Sequence, residues 1–303
     1  MKKLNAILII FSNFLFACNM SDFNPVYESS KVANSYPSGS TISYLNDKFY
    51  VMGDDSSEIL VLNHNMEETG RIQVFSKGEQ LRLPKDSKAD IESSVVIDSD
   101  GIPALLFLGS GSLSPHRDSS FLLDPVLEKV VRIDTKTFFD ELRLEIKDLN
   151  IEAAAVLDGK LLLGLRANTT YPDNSIAIAE RNKQSFSLKR RVHIEISLKN
   201  AGISGMDYDK EEDILFLTFS SEDTSNAYDD GQVGESYLAF LPNAREGMKH
   251  QKLQVSNIVK LSSLSPEFLH QKIESVSLMK EHRKLMLVAD DDKGNTKIFK
   301  VSY

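Results

Sequence analysis

The chain has 303 residues, 41% of them hydrophobic and 26% charged, with 35 Lys and Arg against 44 Asp and Glu and a net charge of −9. That length accommodates one large all-β domain or two ordinary ones, and the acidic balance speaks against nucleic acid, whose phosphates call for clustered basic residues. A single cysteine excludes an intramolecular disulfide.

The chain opens with Lys2 and Lys3, continues as a mostly apolar run from Leu4 to Phe16 and reaches its cysteine at Ala17-Cys18. A positive start, an apolar run of roughly 7–15 residues and a small residue at the cleavage point make a secretory signal; a spanning helix needs about 20 apolar residues. Leu15-Phe16-Ala17-Cys18 resembles the lipobox of bacterial lipoproteins. The resemblance implies cleavage after residue 17, acylation of Cys18 (palmitate among the chains) and, with Asn19 following, residence in the outer membrane. The expected organisation is a signal peptide over 1–17, lipidated Cys18 with a polar tether over 18–30, and one domain over 31–303. That domain belongs to the cell envelope, held close to its membrane by the lipid, because so few residues separate Cys18 from Lys31.

Beyond the tether the sequence repeats itself. Asp90-Ile91-Glu92-Ser93, Asn150-Ile151-Glu152-Ala153 and Lys272-Ile273-Glu274-Ser275 open three similar units, and Gly202-Ile203-Ser204-Gly205 opens a divergent one. A fifth copy reads Thr41-Ile42-Ser43-Tyr44. In each unit a short strand leads through a polar turn, such as Asn46-Asp47 or Asp158-Gly159, into a continuous apolar strand: Phe49 to Met52, Ala104 to Leu108, Leu161 to Leu165, Ile214 to Phe219, Leu285 to Ala289. Continuous apolar strands are buried on both faces, and the Asn-Asp and Asp-Gly pairs are hairpin turns. Third strands follow at Ile59 to Leu62, Ser175 to Ala179, Tyr237 to Leu241 and Lys297 to Val301.

Three or four strands recurring every roughly 40–50 residues define a β-propeller. The expectation is five blades, or six if residues 126–147 contribute one, with Val26 to Ala33 supplying the last outer strand and closing the ring. Phe138 to Leu144 and Leu264 to Leu269 read as short helical insertions. A β-sandwich with a small α/β part is the competing architecture.

Repeat symmetry brings Glu92, Glu152 and Glu274 to one end of the channel, with Asp207 as a fourth carboxylate from the divergent blade. Gathered like charges are costly unless neutralised. The residues leave two readings open: a cation, calcium held by hard oxygen ligands or a positively charged ligand, or a structural belt in which Arg166 and Arg117 already pair the acids. The loops after the second strands put Asp54, Asp55, Ser110, Arg166, Asn168 and Asp290 around the same mouth, where binding groups tend to sit. Asp290 to Asn295 is only loosely like a calcium loop, and the six histidines show no metal-ligand spacing.

Residues 90–117 and 149–168 resemble uncharacterised bacterial β-propeller lipoproteins, distantly similar to the phytase-like esterase and SdiA-regulated propeller groups. The matching features are the acidic residue before a small one at blade starts (Glu92, Glu152, Glu274) and Gly164-Leu165-Arg166; Ser204 departs from the pattern. Two functions follow as expectations. The first is a binding module for a small ligand or an envelope protein at the propeller rim. The second is a calcium-assisted phosphoesterase or esterase-like hydrolase with the channel acids holding the ion. Whether the protein is an enzyme stays open on the sequence.

Overall fold

A computed structural model describes residues 23–75, 82–182, 185–222, 226, 233–290 and 295–303. Five antiparallel sheets form a five-bladed β-propeller, and each blade's first strand packs against the first strands of its two neighbours around a central channel. Blade one comprises Gly39–Leu45, Lys48–Gly53, Glu58–Leu62 and Glu68–Gln73. Blade two comprises Ile91–Ser99, Ile102–Gly109, Ser120–Asp124 and Lys129–Arg132. Blade three comprises Ile151–Leu157, Lys160–Leu165, Ser175–Asn182 and Ser185–Glu195, with Lys252–Gln254 added in parallel to its edge. Blade four comprises Ala201–Asp209, Ile214–Glu222, Val233–Pro242 and Ile258–Lys260. Blade five takes Lys272–Met279, Lys284–Asp290 and Thr296–Ser302 from the C-terminus and its outer strand, Val26–Ala33, from the N-terminus.

The ring therefore closes as expected, by a strand from the start of the chain. Part of the segment assigned to the tether belongs to the fold: Val26 pairs with Ser302, and Phe23 packs at a tilt against Phe240 with ring centroids 3.7 Å apart. Residues 126–147 form no sixth blade. They supply the outer strand of blade two and the helix Lys136–Glu145, whose Phe138, Phe139 and Leu142 are buried between blades two and three. The second helical insertion is a single 3-10 turn, Pro266–Phe268, with Ser265 Oγ accepting from the Glu267 amide at its start.

The hydrophobic core consists of five clusters, one in each seam between neighbouring blades. This explains the continuous apolar second strands. Successive side chains of a strand point to opposite faces, so Phe49 and Val51 enter the seam with blade five while Tyr50 and Met52 enter the seam with blade two. Leu105 and Phe107 face blade one, and Leu106 and Leu108 face blade three. The hairpins between first and second strands turn on consecutive left-handed residues, φ 51° and 59° at Asn46-Asp47 and 48° and 77° at Asp158-Gly159. That pair of dihedrals defines the turn whose twist matches the flanking strands.

Every first strand carries a bulge near its start. Register slips between Gly39 and Thr41, Ile91 and Ser93, Ile151 and Ala153, Ile203 and Gly205, and Ile273 and Ser275. The residues in the bulges are Ser40, Glu92, Glu152, Ser204 and Glu274, so the repeated acidic position is a bulge position. A bulge re-aims one side chain without disturbing the rest of the ladder. Blade one corrects the sequence alignment: Gly39-Ser40-Thr41, three residues before the expected Ile42-Ser43-Tyr44, is the structural equivalent of Ile91-Glu92-Ser93.

The position after each bulge is small because the inner strands converge there. At Gly205 an added Cβ would lie 2.7 Å from Ser275 Cα and 2.8 Å from the Val276 amide nitrogen of blade five. Such backbone contacts cannot yield as a flexible side chain can. Gly205→Ala is expected to destabilise the domain by about 3 kcal/mol, the upper part of the overpacking range, read as a lowered midpoint in urea unfolding.

Candidate functional site

First strands begin and second strands end at the same mouth of the channel, which opens into a cavity of about 340 Å³. One residue beyond the partner of the residue that precedes each bulge stand Asp54, Ser110, Arg166, Ser220 and Asp290, one per blade. The cavity wall includes the three bulge carboxylates Glu92, Glu152 and Glu274 together with Asp54, Asp55, Arg166, Asn168 and Asp290. The sequence-predicted residues thus converge, with two departures. Ser110 stands behind the wall, donating to Asp90 Oδ2 at 2.5 Å. Asp207 lines the opposite mouth instead, accepting from the Leu278 amide at 2.7 Å. The reason is strand geometry: three residues beyond the bulge, at about 3.3 Å per residue, Asp207 stands about 10 Å further down the channel. Burial pushes its carboxyl up to about 6.

Two ion networks occupy the charged mouth. In the first, Arg166 reaches from blade three to Glu152 at 3.2 Å, Glu222 of blade four at 2.7 Å and Glu274 of blade five at 3.8 Å. Lys272 joins Glu222 at 3.3 Å and Glu274 at 3.0 Å. Burial alone would depress the Arg166 guanidinium, but Glu152, Glu222 and Glu274 outweigh it and hold the charge firmly. Burial also lifts Glu274 to about 8 even with Lys272 beside it. Blade four departs from the repeat to make room for this network. A Cβ at Gly202 would lie 2.3 Å from Arg166 Cγ, so the absent side chain lets the arginine cross. Ser204, in place of a glutamate, bonds within the blade to Thr218 at 3.1 Å and Ser220 at 3.2 Å.

In the second network Lys88 bonds to Asp54 and, at 2.7 Å, to Asp90, while Arg117 meets Asp90 at 2.8 Å. Arg82 reaches Asp55 at 2.5 Å, and the Leu83 amide donates to the Asp55 carbonyl at 2.8 Å. The segment entering blade two is thereby fastened over the rim. Burial works against the Lys88 ammonium, yet Asp54, Asp90 and Glu92 hold it well above its ordinary range. Asp90, opposed by burial, is kept below the usual carboxylate range by Lys88 and Arg117.

Glu92 lies between the two networks and belongs to neither. It makes no hydrogen bond or ion pair with another described residue. Protein surrounds it, but its carboxyl opens on the cavity. Burial, followed by the charges of Glu152, Asp90, Asp54 and Glu274, pushes it well above the usual carboxylate range. One oxygen each of Asp54, Asp90 and Glu92 lie within 4.8 Å of one another, a spacing that would suit a metal ion. The Lys88 ammonium already serves two of these three carboxylates.

Sequence reasoning missed Lys88, Asp90, Lys272 and Glu222. Asp90 and Lys272 stood in the repeated openers, one residue before the isoleucine, where they read as pattern; Glu222 stood in a loop that turn propensity explains equally well. Nothing local marks Lys88. Residues 291–294 of the calcium-like stretch and Cys18 lie outside the described residues.

A family model described as a family of unknown function, DUF6929, matches residues 35–302. No curated protein matches the chain. Among solved structures it is similar to glutaminyl cyclase of Myxococcus xanthus at 9% identity, with a TM-score of 0.54 over 91% of this chain and 95% of that one. At that identity the likeness is one of fold.

Proposed function

The chain belongs to the DUF6929 family, and we propose that it is a binding module that takes a small, polar, amino-bearing ligand into the charged mouth of its propeller. Glu92 carries this reading. It is a carboxyl without a partner among the described residues, facing a cavity whose wall holds eight acidic side chains and six basic ones. An ammonium group placed against it would supply the missing positive charge and meet the fields of Asp54, Asp90, Glu152 and Glu274 together. The cavity, about 340 Å³, is near the lower end of the roughly 300–1,000 Å³ of small-molecule sites. Most of its other charged groups are held in place by ion pairs, so the ligand meets a preorganised wall and little ordering cost is added.

The second reading is a calcium-assisted esterase-like hydrolase, and the spacing of Asp54, Asp90 and Glu92 favours it. A divalent ion there would have to displace Lys88, an ammonium held on two of the three carboxylates, which ranks an organic amine ahead of a metal. Thermal-shift titration with diamines, amino sugars, amino acids and calcium, on the native chain and on Glu92→Gln, separates the readings. A midpoint raised by an amine and lost in the variant supports binding. A rise with calcium, together with ester turnover, replaces it by the hydrolase.

The domain works at the cell envelope, lipid-anchored through Cys18; among the described residues no helix is long and apolar enough to cross a membrane. Cys18→Ser is expected to move the folded protein from the membrane to the soluble fraction of a bacterial host, and retention at the membrane would remove the anchor.

A further inference from the structure

We propose that the mouth opposite the charged cavity rests on the lipid surface, with Val126, Leu127 and Ile102 entering the headgroup boundary, so that the binding cavity faces away from the membrane. The inference rests on the anchor at Cys18 and adds an orientation to it.

Chain direction is the first argument. Val26 pairs with Ser302, at the end of a strand that runs away from the charged mouth, so the N-terminal strand enters the fold from the opposite face. Phe23 is fixed there against Phe240 and Tyr303, with centroids 3.7 and 5.7 Å apart. From Phe23 back to Cys18 the chain spans at most about 18 Å even when fully extended. An eight-residue strand such as Lys272–Met279 is about 26 Å long. The tether therefore cannot carry the lipid past the blades to the charged mouth.

The surface supplies the second argument. Third strands run toward this face, so the turn after Ser120–Asp124 places Val126 and Leu127 at its tip, 74% and 70% exposed. Ile102, where the second strand of the same blade leaves that face, is 56% exposed, and Val26 beside the tether is 53% exposed. Structurally equivalent positions on the inner strands put Tyr44, Val96, Val156 and Leu278 around the channel opening. The flanking charges are mainly acidic, Asp98, Asp100, Asp124 and Glu128 against Lys129, so apolar insertion drives the contact and anionic lipid does not.

Trp is absent from the sequence, so one introduced indole reports its own surroundings. The full chain carrying Leu127→Trp, extracted from host membranes and reconstituted on phosphatidylcholine vesicles, is expected to show blue-shifted emission and to lose most of it to brominated lipid. Tyr171→Trp, in the loop after Leu165 at the charged mouth, is expected to keep aqueous emission. If vesicle-bound Leu127→Trp is neither shifted nor quenched, or only Tyr171→Trp is, the orientation is overturned while the anchor stands. If the native chain and Cys18→Ser both fail to bind vesicles, the anchor fails and the orientation with it.

Discussion

Arg166→Met is expected to destabilise the propeller by about 3–5 kcal/mol, the cost of removing one partner from a buried ion network. Methionine preserves much of the side chain's length and apolar bulk, so the loss reports charge and hydrogen bonding. Without the guanidinium, Glu152, Glu222 and Glu274 converge with Lys272 as the remaining cation of the network. The effect depends on pH with a definite sign. Glu274 has its folded value raised to about 8, against an unfolded value of about 4.3. The folded state thus holds the extra proton, and stability from this group is full below the unfolded value and lost as pH rises through the folded one. Removing Arg166 raises the Glu274 carboxyl further, so the variant's deficit should be largest near pH 8 and smaller near pH 5.5. Urea unfolding at the two pH values checks this. An equal deficit at both would assign the role of Arg166 to packing. Arg166→Lys keeps the charge without the planar fork and should fall between.

Glu92→Gln is expected to weaken amine binding by about 100-fold or more, in line with the 2–5 kcal/mol lost when one member of a buried charge pair is removed. Its effect on folding runs the other way. Glutamine mimics the protonated carboxyl that burial and the neighbouring carboxylates favour in the fold, so stability should be kept or raised. Because the Glu92 carboxyl is raised on folding, the native chain loses stability as pH rises above the unfolded carboxylate range. The variant lacks that slope, and its advantage should grow with pH. Binding an ammonium ligand requires the carboxylate, so wherever Glu92 is protonated in the free chain binding releases a proton. Affinity of the native chain should rise about tenfold per pH unit below the Glu92 value, while the variant's stays flat. Calorimetry in two buffers of different ionisation enthalpy reads the released proton directly; no release would show that the ligand uses Glu92 as a hydrogen-bond donor instead.

The amino-acid sequence by itself pointed to the propeller and to the strand that closes it, and left five blades or six; the structure settled five because residues 126–147 form an outer strand and a helix. These features rest on interactions within a blade: apolar second strands joined to the first by polar turns recur in all five blades, and an isoleucine followed by a bulged residue in four of them. Even here blade one slipped by three residues, because Gly39-Ser40 carries neither the isoleucine nor the acid that marks the bulge elsewhere. The convergence of Glu92, Glu152 and Glu274 was also legible, since equal positions in equal blades must meet at one mouth. Only the tertiary structure decided which charges pair. Arg166 reaches Glu222 and Glu274 across blade boundaries, through a gap that exists because Gly202 has no side chain, and Lys88 joins Asp54 to Asp90 from a loop with no repeat of its own. The distance down a strand likewise separated Asp207 from the acids it seemed to accompany. Local pattern specifies a strand and its bulge, but an ion pair is set by where rings close and chains cross, and so Glu92 emerged as the carboxyl left over only once every other partner was in place.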